Sequence, residues 1–199
     1  MQNGSLCAIL GDDDYIVRQK AKEIFDQWAQ DFPDDLSREI IDGRADRVDD
    51  AVRILSEAKA ATTTLSLFGG GKLVWLNEVN FINQNKTGAA QGTKDALEKA
   101  KGFLESLGDS RVLISACPVH RGHGFVKWLQ KNSDLHDLAK GEKEDSAFRR
   151  LAEETASEMG VRFGSGALEY LAGKIGAHPR LGVEETRKLA SYLGAEGGE

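Results

Sequence analysis

Short, unbroken apolar runs separated by amphipathic stretches are what most narrows the folds open to this chain. Leu6-Cys7-Ala8-Ile9-Leu10, Leu73-Val74-Trp75-Leu76 and Val112-Leu113-Ile114 are too short for buried helices and lack the alternation of a strand with one wet face. Strands buried on both faces read this way, and they belong to parallel sheets covered on both sides by helices. Between the runs the spacing becomes helical. Asp12-Asp13-Asp14 offers an N-cap and first-turn acids for a helix to about residue 30, with Ile16, Ala21, Ile24, Phe25 and Trp28 on its apolar side. Asp46 can cap a second helix carrying Val48, Ala51, Val52, Leu55 and Ala58. A third helix is expected over about residues 93–107 and a short one over residues 124–131. Weaker strand signals lie at residues 38–41 and near Leu135, and the polar residues 80–91 read as a mobile loop.

After Leu138 the pattern changes. Three helical segments follow without a strand, at about residues 146–159, 165–175 and 183–193, with Gly160, Gly176 and Gly194 where C-terminal caps belong. The expected organisation is an α/β domain over residues 1–138 and a small all-helical domain over residues 139–199.

At 199 residues the chain can bury a core without disulfides or metals. Cys7 and Cys117 stand far apart, each in or beside an apolar segment, and are expected to be buried, reduced thiols in a cytoplasm. No apolar run has the length of a membrane span, and the first residues lack the basic, then apolar, pattern of a signal peptide. A net charge of −6 opposes use of the whole surface as a nucleic-acid platform.

A sheet that begins strand, glycine, helix invites comparison with a phosphate-binding loop, G-x-x-x-x-G-K-[ST], and the comparison fails. Gly11-Asp12-Asp13-Asp14-Tyr15 sets three carboxylates where backbone amides and a lysine would cradle phosphate. Gly69-Gly70-Gly71-Lys72 fails as well, because it precedes a strand. Paired acids after a first strand also occur in phosphorelay receivers, where they hold Mg²⁺, but the end of the third strand here offers Asn77-Glu78 in place of a phosphoacceptor aspartate. Helix capping by Asp12 to Asp14 accounts for the acids more simply. Cys117, His120 and His123 lack the paired spacing and the fourth ligand of a zinc site. No nucleophile elbow and no His-Glu-x-x-His motif is found. The expectation is therefore no catalytic site, no cofactor and no metal.

Thr64-Leu65-Ser66-Leu67-Phe68-Gly69-Gly70-Gly71 is a bare apolar tip before a glycine run, suited to insertion into a partner's apolar pocket. Leu65-Ser66-Leu67-Phe68 resembles the peptides that bacterial replication proteins insert into the β sliding clamp. The whole chain resembles the delta subunit of the bacterial DNA polymerase III clamp loader. The resemblance rests on Leu10-Gly11-Asp12-Asp13, on Ser66-Leu67-Phe68 followed by a basic residue and Leu73 to Leu76, and on Glu184-Glu185-Thr186-Arg187-Lys188-Leu189-Ala190-Ser191-Tyr192. It implies an AAA+-like parallel-sheet domain whose nucleotide site has degenerated, followed by a helical domain. It further implies Leu65, Leu67 and Phe68 as clamp-binding residues, and as partners the β sliding clamp, the gamma/tau and delta prime subunits and primed DNA within the assembly, with no membrane. The family is part of a DNA-directed DNA polymerase holoenzyme, so catalysis would reside in other subunits. Two departures stand out: Thr64 replaces the glutamine that usually opens clamp-binding peptides, and no third, collar domain follows residue 199, so a fragment is expected. The competing expectation is a receiver-like domain with a helical output.

Overall fold

The computed structural model describes residues 5–63, 70–138 and 144–195. The strands Leu6–Leu10 (β1), Arg38–Asp42 (β2), Leu73–Val79 (β3), Arg111–Ala116 (β4) and Asp134–Asp137 (β5) form one sheet in the order β2-β3-β4-β1-β5. Every neighbouring pair is parallel. Alternate residues of β1 serve opposite faces, which explains its unbroken apolar sequence. Cys7 and Ile9 join Val17, Ala21, Ile24 and Phe25 of the helix Asp14–Ala29 (α1) on one face. Leu6, Ala8 and Leu10 join the core of the other face, built on Ile54 and Ala58 of Val48–Thr63 (α2), Leu97 of Gln91–Leu104 (α4) and Val126 of Gly124–Asn132 (α5). Each fully buried Leu, Ile, Val or Phe contributes about 1.5–3 kcal/mol through removal of apolar surface from water.

On the α1 face, Arg111 at the start of β4 lies over the rings of Trp28 and Phe32, 5.5 and 5.6 Å from their centroids, and pairs with Asp31 at 2.7 Å. That contact closes the end of α1 onto the sheet.

Residues 80–91 do not form the mobile loop expected from their polarity. Phe81 and Ile82 are fully buried, and the short helix Lys86–Ala89 (α3) is capped by Asn85, whose Oδ1 accepts from Gly88 N at 2.7 Å. Asn85 Nδ2 donates to Asn80 O, and Thr87 Oγ1 donates to Asp46 O at 2.8 Å. Asn85, though exposed, and buried Thr87 use their side chains to hold backbone. The helix after it starts at Gln91 and ends at Leu104, and Leu107, expected as its last turn, is buried in the turn that follows.

The chain divides into two compact units between residues 139 and 140. The second holds the helices Glu144–Glu158 (α6), Ala167–Ile175 (α7) and Pro179–Ala195 (α8) around Phe148, Ala152 and Leu168. Gly160 and Gly176 take the positive φ of helix-ending glycines, +72° and +77°. Gly194 does not, because α8 continues through it, and α8 starts earlier than expected, with Pro179 in its first turn where a missing N–H costs nothing.

Candidate functional site

Two places on the first unit gather the residues singled out by sequence. One is the cleft at the carboxyl ends of the strands, where open α/β sheets bind ligands. The other is the base of the connection between α2 and β3.

The cleft encloses about 490 Å³ and is lined by Asp12, Asp14, Arg18, Arg44, Glu78 and Ser115, among others. Asp13 caps α1, its Oδ1 accepting from Ile16 N at 2.9 Å, so an amide that would bind a phosphate oxygen is taken by a side chain. Asp12 pairs with Arg121 at 3.3 Å, and Arg121 also meets Asp137 at the end of β5 at 2.9 Å. The hydrogen bonds that Arg121 donates to the Asp137 carboxylate are the main cause that holds its guanidinium above its usual range. Glu78 stands at the end of β3 with φ +59°, a left-handed backbone that a non-glycine residue seldom adopts. Its carboxylate lies 3.4 Å from Arg18 and 3.6 Å from Arg44, and Arg44 forms a closer pair with Asp42 at 2.6 Å. The hydrogen bond from Arg44 pulls the Asp42 carboxyl below its ordinary value. Buried Ser115 anchors this backbone: its Oγ accepts from Trp75 Nε1 at 2.9 Å and Glu78 N at 3.2 Å and donates to Asn77 Oδ1 at 3.2 Å. Among the described residues, both arginines that line the cleft are paired with carboxylates and no lysine lines it. Among these residues a triphosphate would meet Asp12, Asp14 and Glu78 without a free cation to offset them.

The receiver alternative fails on topology. Receivers have the order 2-1-3-4-5, which puts the first and third strands side by side. Here β1 lies between β4 and β5.

The tip residues Leu65, Leu67 and Phe68 lie outside the described residues, but both stems of their segment are described. Ser110, 3% exposed, holds them together: its Oγ accepts from Lys72 N at 3.0 Å and donates to Thr62 O at 3.2 Å. Arg111 N donates to Lys72 O at 2.8 Å, fixing the re-entry of the chain into β3. Gly70 takes φ +92°, and a Cβ on Gly71 would fall 2.2 Å from the carbonyl carbon of Asp109, so a side chain has no room there. Gly70 and Gly71 therefore each answer a local demand. Ser110 carried no sequence signal, since one serine after a Gly-Asp turn looks like any other.

The Cys117 to His123 loop separates its donors. Among the described residues, Cys117, His120 and His123 do not form a group within reach of one ion. His123 caps α5, its Nδ1 accepting from Phe125 N at 3.2 Å, and burial pushes its pKa below the usual histidine value. His120 Nε2 lies 2.8 Å from Gln84 Nε2. Cys7 is buried and Cys117 half-buried.

The family model described as DNA polymerase III, delta subunit, matches residues 8–137. No curated protein sequence matches the chain. Among solved structures, the Bacillus subtilis DNA clamp loader delta protein is similar over 96% of this chain and 54% of its own, at 19% identity and a TM-score of 0.55. The Thermotoga maritima RuvB Holliday junction branch migration motor is similar over 98% of this chain and 57% of its own, at 16% identity and a TM-score of 0.53. The chain thus spans little more than half the length of these structures. The fold is the expected AAA+-like α/β sheet followed by helices.

Proposed function

The chain belongs to the family of the DNA polymerase III delta subunit, and from that premise we propose that it grips a β sliding clamp through Leu65, Leu67 and Phe68 and helps to open it. The observation that carries this reading is the clasped base of their segment: Ser110 bonds both stems, while the sequence between them is Thr-Leu-Ser-Leu-Phe-Gly. An apolar tip on a fixed base loses little conformational freedom on binding. Leu67 and Phe68 would enter an apolar pocket on the clamp, each contributing about 2 kcal/mol as a buried anchor, with Leu65 supporting them. Opening would draw on differential affinity for the open and closed ring, in keeping with a cleft whose two arginines are paired with its own carboxylate Glu78. Gamma/tau and delta prime subunits, and primed DNA held by the assembly, are the further partners of this reading, in a cytoplasmic setting. Among the described residues no helix is long and apolar enough to cross a membrane.

The test is the double variant Leu67→Ala, Phe68→Ala, measured for clamp affinity and thermal stability together. A loss of about a hundredfold or more in affinity with an unchanged melting temperature is expected. A destabilised protein whose folded fraction binds the clamp normally would show instead that the two side chains are core.

A further inference from the structure

Outside the residues that line the cleft, the pairing of β1 with β5 assembles a donor set that neither strand reveals alone. Cys7 is in register with Asp134, and Ile9 with His136, so these four residues share the α1 face of the sheet. On that face Cys7 and Ile9 belong to the apolar core, and the next strand outward continues it with a carboxylate and an imidazole where a covered sheet would carry aliphatic side chains. The ligating atoms of Cys7, Asp134 and His136 lie within 4.8 Å of one another.

From this geometry we propose that Cys7 Sγ, Asp134 and His136 bind one divalent ion of zinc type at the β1–β5 edge, with water completing four-coordination. A thiolate, an imidazole and a carboxylate together suit a borderline-soft ion such as Zn²⁺ or Co²⁺ and disfavour Mg²⁺ or Ca²⁺, which take oxygen donors. Metal–ligand bonds of about 2.0–2.3 Å at tetrahedral angles set donors about 3.3–3.6 Å apart. His136 Nε2 and Asp134 Oδ2 already stand at 3.6 Å. The remaining closure onto Cys7 falls to both edge side chains, His136 and Asp134, which are 33% and 61% exposed on the edge strand. The buried thiol forms the floor of the site, and the two edge side chains form its mouth. On binding, Cys7 gives up its proton to solvent and no redox step is involved. The bound ion would fasten the edge strand to the sheet centre by coordination in addition to the parallel ladder.

Titration of the full chain with Co²⁺ tests this, because a cobalt–thiolate bond gives a charge-transfer band in the near ultraviolet and four-coordination gives strong visible bands. Saturation at one ion per chain, with a rise in melting temperature on adding Zn²⁺, is expected. His136→Gln should weaken binding by about tenfold or more while leaving the metal-free melting temperature unchanged. Cys7→Ser should abolish the thiolate band, and Cys117→Ser should leave it intact. The proposal is overturned if the folded wild-type chain gives no thiolate band at micromolar Co²⁺, if His136→Gln binds as the wild type does, or if the band disappears with Cys117.

Discussion

Replacing Ser110 by alanine removes one hydroxyl and breaks two bonds that hold the stems of the apolar tip, to Lys72 N at 3.0 Å and Thr62 O at 3.2 Å. A typical intramolecular hydrogen bond contributes about 0.5–1.5 kcal/mol net, and a buried group left without a partner costs about 1–3 kcal/mol. Thr62 and Lys72 are half-buried, so water regains part of what is lost, while Ser110 itself is 3% exposed. The sum comes to about 2 kcal/mol. For a chain of this size that is a fall of about 4–8 °C in melting temperature. Thermal melting and urea unfolding measure it, and the urea midpoint should fall without a change in slope. Clamp affinity is the second readout: loosening the base adds freedom that binding must remove, so a loss smaller than tenfold is expected, well short of that for the Leu67 and Phe68 double variant. A Ser110→Ala protein within about 0.5 kcal/mol of the wild type would refute the clasp, since that is the scatter of ordinary surface substitutions.

Gly71→Ala should destabilise by about 3 kcal/mol or more, because its Cβ meets the Asp109 backbone, whereas Gly70→Ala, with open space at φ +92°, should cost about 1–2 kcal/mol; urea midpoints of the pair rank them, and the reverse order would contradict the geometry. Isothermal titration with Mg-ATP should show no binding in the micromolar range, and measurable heat with phosphate release would contradict the reading of the cleft. Burial pushes the Cys7 thiol up to about 12 and the Cys117 thiol up to about 11, so alkylation of the folded chain near neutral pH should be slow and reach half-buried Cys117 first, as peptide mass analysis will read. These folded-state values lie above the ordinary thiol value of 9.0, so the unfolded chain releases its protons first and stability should decline as pH rises from about 9; a flat profile from pH 9 to 11 would contradict the burial.

The centre of the sheet is legible in the sequence because β1, β3 and β4 are buried on both faces, and burial on both faces leaves an unbroken apolar run. The edges are harder to read. In β2, Ile40 is 56% exposed, and β5 is Asp-Leu-His-Asp, so neither shows the run that marks the inner strands. Phe81 and Ile82 are missed for a related reason: two apolar residues among asparagines and glutamines have no period, and only the tertiary bonds of Asn85 and Thr87 reveal that the polar neighbours serve the backbone. Failure of the phosphate loop is readable from Asp12 to Asp14 alone. The arginines around the cleft are not, because Arg18 and Arg44, which line it, and Arg121, which holds Asp12, come from three separate segments. Strand order is the remaining gap: no local pattern announces that β5 pairs with β1, and the approach of Cys7 to Asp134 and His136 follows from that pairing alone.

The turn after β1 is tethered through Asp12 to Arg121 and onward to Asp137, all within one chain. The two ends of this tether lie 125 positions apart in the chain, so the turn after the first strand is fixed by a contact that exists only once the last strand has joined the sheet. Any ligand that is to displace the turn must first break the Asp12–Arg121 pair, and the strength of that pair sets the threshold for moving it.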